Sequence, residues 1–183
     1  MTRTYPHLLA LDPGLRGCGL AYFDANGVLL HAKYLKNPVK KGGGPEAWLG
    51  FVEAMPVDLW RVEHFISEYP QVYRAGASKG DPDDLLQLAS VVAVFTANVV
   101  AKDYLAVRPR EWKGSVPKDV HHARLVKALT PEEMAMVERA APPSLRHNVL
   151  DAIGIGRYFF QTHCRGAPVA EKPVRVPRRR FTR

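Results

Sequence analysis

Residues 8–24, LLALDPGLRGCGLAYFD, decide the fold that this sequence predicts. The first four residues are apolar and predict a buried strand, which ends at Asp12 and a Pro13-Gly14 turn. A second apolar run, Gly17–Phe23, predicts a neighbouring strand. A carboxylate at the end of a buried strand is costly unless a cation pairs with it. The layout therefore indicates that Asp12 has a cationic partner.

Composition limits the class of protein. The 183 residues are enough for one domain with a substantial core. There are 26 Lys and Arg against 18 Asp and Glu, and the formal charge of +8 favours nucleic acid or an anionic surface as partner. Cys18 and Cys164 lack a C-x-x-C spacing, so we expect reduced thiols and a cytoplasmic location, bacterial, phage-encoded or organellar. No apolar run has the length of a signal peptide or a bilayer span, and we expect no membrane association.

The other elements follow from apolar periodicity and turn residues. Further strands are predicted at 28–35, 61–67 and 104–107, and helices at 46–55, 81–101, 119–129, 131–141 and 144–163. Antiparallel strands at the start, followed by strands that alternate with helices, predict an α/β fold with a mixed sheet flanked by helices. Residues 36–45 are predicted as a basic linker. Residues 1–163 form the predicted domain, and 164–183 a basic, disordered tail.

Three acids occupy positions from which they can form one site. Asp12 and Glu68 end predicted strands, and Asp151 lies in a helix whose Gly154 and Gly156 permit close approach to the sheet. Each acid alone is more simply a turn or surface residue. If the three converge, they repel one another unless divalent cations neutralise them, and oxygen ligands favour Mg²⁺ or Mn²⁺. Two such ions can clamp a phosphodiester for hydrolysis.

The chain resembles the RuvC family of Holliday-junction resolvases, within the RNase H-like superfamily, in three motifs that contain these acids. They are LALDPGLRGCGLAYFD at 9–24, ISEYPQVY at 66–73 and RHNVLDAIGIGRYFF at 146–160. The resemblance covers residues 8–160. It implies an RNase H-like fold with a five-stranded mixed sheet, two Mg²⁺ ions for which Mn²⁺ substitutes, and a homodimer that nicks four-way DNA junctions. It also implies that Asp12, Glu68 and Asp151 are the catalytic metal ligands.

A fourth metal ligand is left open by the resemblance. The family usually has an Asp or His three residues before its last acid, where this chain has Asn148, preceded by His147. Both positions share a helix face with Asp151, so either could approach a metal ion. The Asn148 amide oxygen is a weaker ligand than a carboxylate. His147 is a ligand, a proton carrier or a structural residue.

Positive charge is concentrated at residues 108–118, just before a predicted helix, which is a typical phosphate-binding arrangement. The alternative is a solvated basic loop. The resemblance implies two catalytic lysines here, matched by Lys113 and Lys118, and a base-stacking aromatic near Tyr73, for which core packing is the alternative. The predicted nucleic-acid contacts are Tyr73, Arg74, Arg108, Arg110, Lys113, Lys118 and His122.

The leading hypothesis is a metal-dependent endonuclease that resolves four-way or other branched DNA junctions. One alternative is a nuclease for flaps, RNA or linear duplex with an altered metal site, and another is an RNase H-like module that only binds nucleic acid. The missing second Asp-x-Gly phosphate motif argues against an actin-like ATPase. Helix 85–100 is apolar on most sides, which predicts either a dimer interface or burial within one subunit.

Overall fold

The computed structural model describes residues 6–37, 46–55, 60–71 and 81–164. Its strands are β1 (Leu8–Asp12), β2 (Gly17–Phe23), β3 (Leu29–Lys36), β4 (His64–Glu68) and β5 (Asp103–Val107). Its helices are α1 (Glu46–Glu53), α2 (Pro82–Asn98), α3 (Pro109–Trp112), α4 (Lys118–Ala128), α5 (Pro131–Ala140) and α6 (Arg146–His163), with a 3-10 turn at Pro143–Leu145. All of them except α3 and the 3-10 turn match predicted elements. Residues 38–45 and 165–183, most of the predicted linker and tail, lie outside the described residues.

The five strands form one mixed sheet in the order β3-β2-β1-β4-β5. β1 pairs antiparallel with β2 and parallel with β4, and β4 pairs parallel with β5. The predicted five-stranded mixed sheet with flanking helices is therefore confirmed. β1 is the central strand, and all four of its apolar residues, 8–11, are fully buried, as expected for a strand covered on both faces.

Two apolar cores cover the two faces of the sheet. Side chains alternate along β1, so that Leu8 and Ala10 pack with residues of α4, α5 and α6 on one face. Leu9 and Leu11 pack on the other face with residues of α1 and α2. The sheet is thus the middle of three layers, and helices pack against its central strand on both faces.

The parallel pairing of β1 with β4 brings two of the predicted acids to one edge. Leu11 is opposite Ser67 in the register of the two strands, so the residues that follow, Asp12 and Glu68, end side by side. A carboxylate pair of this kind arises because the carboxyl ends of parallel strands meet at the same edge of a sheet.

Helix α6 lies directly on the sheet beside these acids. Gly19 in β2 is the register partner of Asp12, and a Cβ atom at Gly19 would overlap the backbone carbonyl of Asn148. The missing side chain lets the first turns of α6 rest on the backbone of β2. Asp151 follows less than one turn after Asn148 and so lies near the same edge.

Helix α2 begins after Asp81, whose carboxylate accepts a hydrogen bond from the Asp83 N–H at 3.0 Å, as its N-cap sequence predicts. Only one of its faces is buried, and Leu86 is 69% exposed. The dimer interface on this helix therefore stays a prediction. No helix in the described ranges combines the length and the apolar character that a membrane span requires.

Candidate active site

The carboxylates of Asp12, Glu68 and Asp151 meet where β1 and β4 end beneath α6. Burial, followed by the negative charges of Asp151 and Glu68, raises the pKa of Asp12 well above its ordinary value. Burial is also the main reason that the pKa of Glu68 is raised. Three acids held together in this way favour binding of a cation, because the folded chain alone does not neutralise them fully.

Two lysines predicted to lie near the acids are in place. Lys118 Nζ is 2.9 Å from Asp151 Oδ2, and Lys113 Nζ is 3.9 Å from Glu68 Oε2. They flank the turn between α3 and α4. Within the described ranges, no hydrogen bond or ion pair reaches the Asp12 carboxylate. Of the three acids, Asp12 is thus the one whose negative charge has no direct hydrogen bond or ion pair among the described residues.

Two further side chains position the acids. The Trp112 indole N–H donates a hydrogen bond to Glu68 Oε2 at 2.7 Å. His122 Nε2 lies 2.8 Å from Asp151 Oδ1. Trp112 had no predicted role, because α3 was expected to be part of a loop. His122 was predicted to contact DNA, which stays a prediction, although the structure places its ring against an acid of the site.

The sequence does carry a signal for the His122 contact. Lys118 and His122 are four residues apart on α4, and residues with this spacing share a helix face. Each of them approaches one oxygen of Asp151, Lys118 at Oδ2 and His122 at Oδ1. The face of α4 that carries both side chains therefore points at the acids.

The candidates for a fourth ligand lie near Asp151 but do not pair with it. The Asn148 side-chain amide donates to the carbonyl of Leu145 at 3.3 Å. The pKa of His147 is lowered, first by burial and then by the positive charge of Lys118. The choice between Asn148 and His147 as fourth ligand therefore stays open.

Two of the remaining predicted DNA contacts lie on the surface at the start of α3. Arg108 and Arg110 are exposed on either side of the first residue of α3, and the backbone N–H of Arg108 donates to Glu111 Oε2 at 2.6 Å. Tyr73 and Arg74 lie outside the described residues. The exposed part of the predicted basic surface is thus the segment around α3 and the start of α4.

The acids fit hard divalent cations by their chemistry. Carboxylate oxygens are the ligands that Mg²⁺ and Mn²⁺ prefer, and Asp12 in particular lacks a partner within the described residues. The carboxylate oxygens of the three acids do not all lie within 4.8 Å of one another. Such wider spacing suits two ions about 4 Å apart better than one shared ion.

We expect Trp112→Phe to weaken binding of Mn²⁺ to the acids about tenfold, because Glu68 loses the donor that orients it while the aromatic packing is kept. The measurement is a calorimetric titration of the protein with Mn²⁺. Trp60→Phe is the matched control, since the Trp60 ring packs against Phe95 on the opposite face of the sheet. Equal affinities of wild type and Trp112→Phe for Mn²⁺ would show that the indole hydrogen bond does not orient Glu68 for metal binding.

Comparisons with known proteins bear on the fold. No family model and no curated protein sequence matches the chain. The structure of Thermus thermophilus RuvC matches with a TM-score of 0.52 at 17% identity, over 84% of this chain and 95% of that one. The yeast mitochondrial Holliday junction resolvase Ydc2 matches with a TM-score of 0.50 at 12% identity, over 87% of this chain and 84% of that one.

Thermus thermophilus RuvC in complex with a Holliday junction substrate also matches, with a TM-score of 0.46 at 16% identity, over 85% of this chain and 96% of that one. The first two similarities confirm the predicted RNase H-like fold and, at the level of fold, the resemblance to RuvC. The chain thus shares its overall fold with these two solved structures.

Proposed function

We propose that the protein is a metal-dependent endonuclease that resolves four-way or other branched DNA junctions. The observation that carries the proposal is the convergence of Asp12, Glu68 and Asp151, with Lys113 and Lys118 beside them, at one edge of a RuvC-like sheet. Holding three carboxylates together costs free energy because they repel one another. Bound divalent cations would neutralise that repulsion. The two lysines account for recognition of a phosphate group at the same place.

The three acids would hold two divalent ions, Mg²⁺ with Mn²⁺ as substitute. When bound, such ions supply an activated water and stabilise the leaving oxygen of a phosphodiester. Trp112 engages Oε2 of Glu68, and His122 engages Oδ1 of Asp151. Oδ2 of Asp151 pairs with the Lys118 ammonium, which a bound metal ion would displace. This division of roles follows the usual pattern in which neighbouring groups orient metal ligands.

Lys118 is well placed to exchange partners. Its side chain is 52% exposed although its ammonium group lies 2.9 Å from Asp151. An ammonium on a flexible stem can turn from a carboxylate to a phosphate that approaches from solvent. Lys113 is less exposed, at 24%, and its ammonium also lies over the Trp112 ring, 4.8 Å from the centroid. We therefore assign DNA capture to Lys118 and a fixed positive charge near the phosphate to Lys113.

We propose branched DNA and not linear duplex as the substrate, because the fold is similar to that of Ydc2, a Holliday junction resolvase. Resolution requires two symmetric cuts, so the proposal includes a homodimer with one site in each subunit. Residues 1–163 form the nuclease domain of the proposal, and 164–183 form a basic tail. The net charge of +8 agrees with a polyanionic partner.

The test is cleavage of a labelled four-way junction and of a linear duplex of the same sequence, with Mg²⁺ or Mn²⁺. Wild type should nick the junction faster, and Asp151→Asn should lose at least about 100-fold in rate because a ligand carboxylate is gone. Equally fast cleavage of linear duplex would overturn the resolvase assignment and keep the nuclease. Binding of the junction without any metal-dependent cut would identify a binding module instead.

A further inference from the structure

A second group of possible ligands lies at the opposite edge of the sheet from the acids. His7 precedes β1, and Glu63 precedes His64, the first residue of β4, so that both lie next to His7 because the two strands are parallel. The His64 N–H donates to the His7 carbonyl at 2.9 Å, which fixes the two backbones together. Five residues of extended strand separate His7 from Asp12, or about 16 Å. This cluster is therefore distinct from the candidate active site.

The side chains of the cluster already face one another. His7 Nδ1 lies 2.7 Å from Glu63 Oε2, and the ligand atoms of His7, Glu63 and His64 all lie within 4.8 Å of one another. The two imidazole rings are 4.7 Å apart between centroids. The histidines are only 18% and 23% exposed. Small rotations of these side chains would bring three ligand atoms around one metal ion.

Neighbouring groups hold the His64 ring in a defined orientation. Its Nδ1 is 3.0 Å from Asp103 Oδ2, and its ring packs 5.1 Å from that of Phe159 on α6. A histidine whose Nδ1 is engaged by a carboxylate presents its other nitrogen, Nε2, to a metal ion. This carboxylate-histidine arrangement is common around protein-bound zinc.

We propose that His7, Glu63 and His64 bind one transition-metal ion of the zinc class, with Asp103 orienting His64. Two imidazoles and one carboxylate form a ligand set typical of Zn²⁺, and Mg²⁺ would prefer oxygen ligands alone. His64 also lines a solvent-open cleft of about 480 Å³, together with Asp103 and His163 among others. The site is separate in position and in ligand chemistry from the one at Asp12.

Lys102 is the cation that competes for this place. Its ammonium lies 3.2 Å from Glu63 Oε1, while the other carboxylate oxygen faces His7. The Lys102 side chain is 73% exposed. An ion pair this exposed contributes little free energy. A metal ion bound by two histidines as well would therefore displace the lysine from Glu63.

The experiment is a zinc titration of the full chain after dialysis against a chelator, followed by calorimetry, with Co²⁺ as a spectroscopic probe. Wild type should bind Zn²⁺ at this site in the micromolar range or tighter, and Co²⁺ should give the visible absorption of a tetrahedral site. His64→Gln should weaken binding about tenfold or more and abolish that absorption. His31→Gln is the matched control, since His31 is exposed on β3, away from the cluster.

Glu63→Gln provides a second variant at a more exposed position, in case His64→Gln fails to fold, and it should also weaken zinc binding. Asp151→Asn should leave the zinc affinity of this site unchanged. Wild-type protein without micromolar zinc binding would overturn the proposal. So would zinc binding that survives both His64→Gln and Glu63→Gln, or binding that Asp151→Asn removes, because the ion would then lie at the acids.

Discussion

Asp12→Asn should lower cleavage about 1,000-fold and at the same time raise the stability of the metal-free protein. The loss of rate follows from removing a carboxylate that is a proposed metal ligand, an interaction worth several kcal/mol in metal-dependent hydrolysis. The gain follows because Asp12 lacks a partner within the described residues and faces two other acids. We expect about 1 kcal/mol or more in the free energy of unfolding. Cleavage rates and denaturant unfolding with chelator present measure the two effects.

The difference in stability between Asp12→Asn and wild type should depend on pH, and the raised pKa of Asp12 fixes the direction of that dependence. The pKa of Asp12 is raised on folding above its ordinary value of 3.8, so its contribution to stability is lost as pH rises through the folded pKa. The stability advantage of Asp12→Asn over wild type should therefore be smallest as pH falls toward 3.8 and should grow toward neutral pH. Mg²⁺, the proposed ligand of the wild-type site, should reduce the stability advantage of Asp12→Asn. An advantage that is greatest in acid would contradict the electrostatic interpretation.

Gly19→Ala should disrupt the site without touching any acid. The new Cβ atom would overlap the backbone carbonyl of Asn148, and neither group can rotate away, because the Cβ is fixed to its Cα and the carbonyl is part of a helix. Helix α6 must then shift from the sheet and carry Asp151 away from Asp12. We expect a loss of about 1 to 3 kcal/mol in stability, as in other overpacked cores, and about 100-fold in the cleavage rate of the folded protein.

Gly156→Ala is the matched control for this prediction. Its Cβ atom would meet the Phe23 ring, also a tight contact, but Gly156 lies five residues beyond Asp151 on α6. It should destabilise the fold by a similar amount and leave the rate per folded molecule within a few-fold of wild type. Rates are compared at a temperature where circular dichroism shows both variants folded. Equal losses of rate in both variants would mean that the close contact between Gly19 and α6 does not position Asp151.

Much of the fold could be predicted because its signals are local. Apolar runs mark the strands and helices in the sequence, and in the structure the Asp81 N-cap and a capping box between Thr130 and Glu133 begin two of those helices. The acids stood out because they end strands or lie beside helix glycines. Which strands pair, and in which register, depends on contacts between distant parts of the chain, so the sequence alone did not reveal the role of Gly19.

The contacts that complete the two sites are also long-range. The Trp112 to Glu68 hydrogen bond spans 44 residues, and the His122 to Asp151 contact spans 29. The cluster of His7 and His64 depends on the parallel pairing of β1 with β4, which no local pattern specifies. A helix in the basic segment went unpredicted because α3 has only four residues and one turn carries little periodicity.

The placement of Asp151 on α6 also bears on synthesis of the chain. Asp12 and Glu68 leave the ribosome early, whereas the third acid belongs to the last helix of the described structure. A nascent chain that ends before residue 151 has the sheet edge but not the full set of acids. The proposed active site is therefore assembled only after α6 has been synthesised, and a fragment that ends before residue 151 lacks one of its three acids.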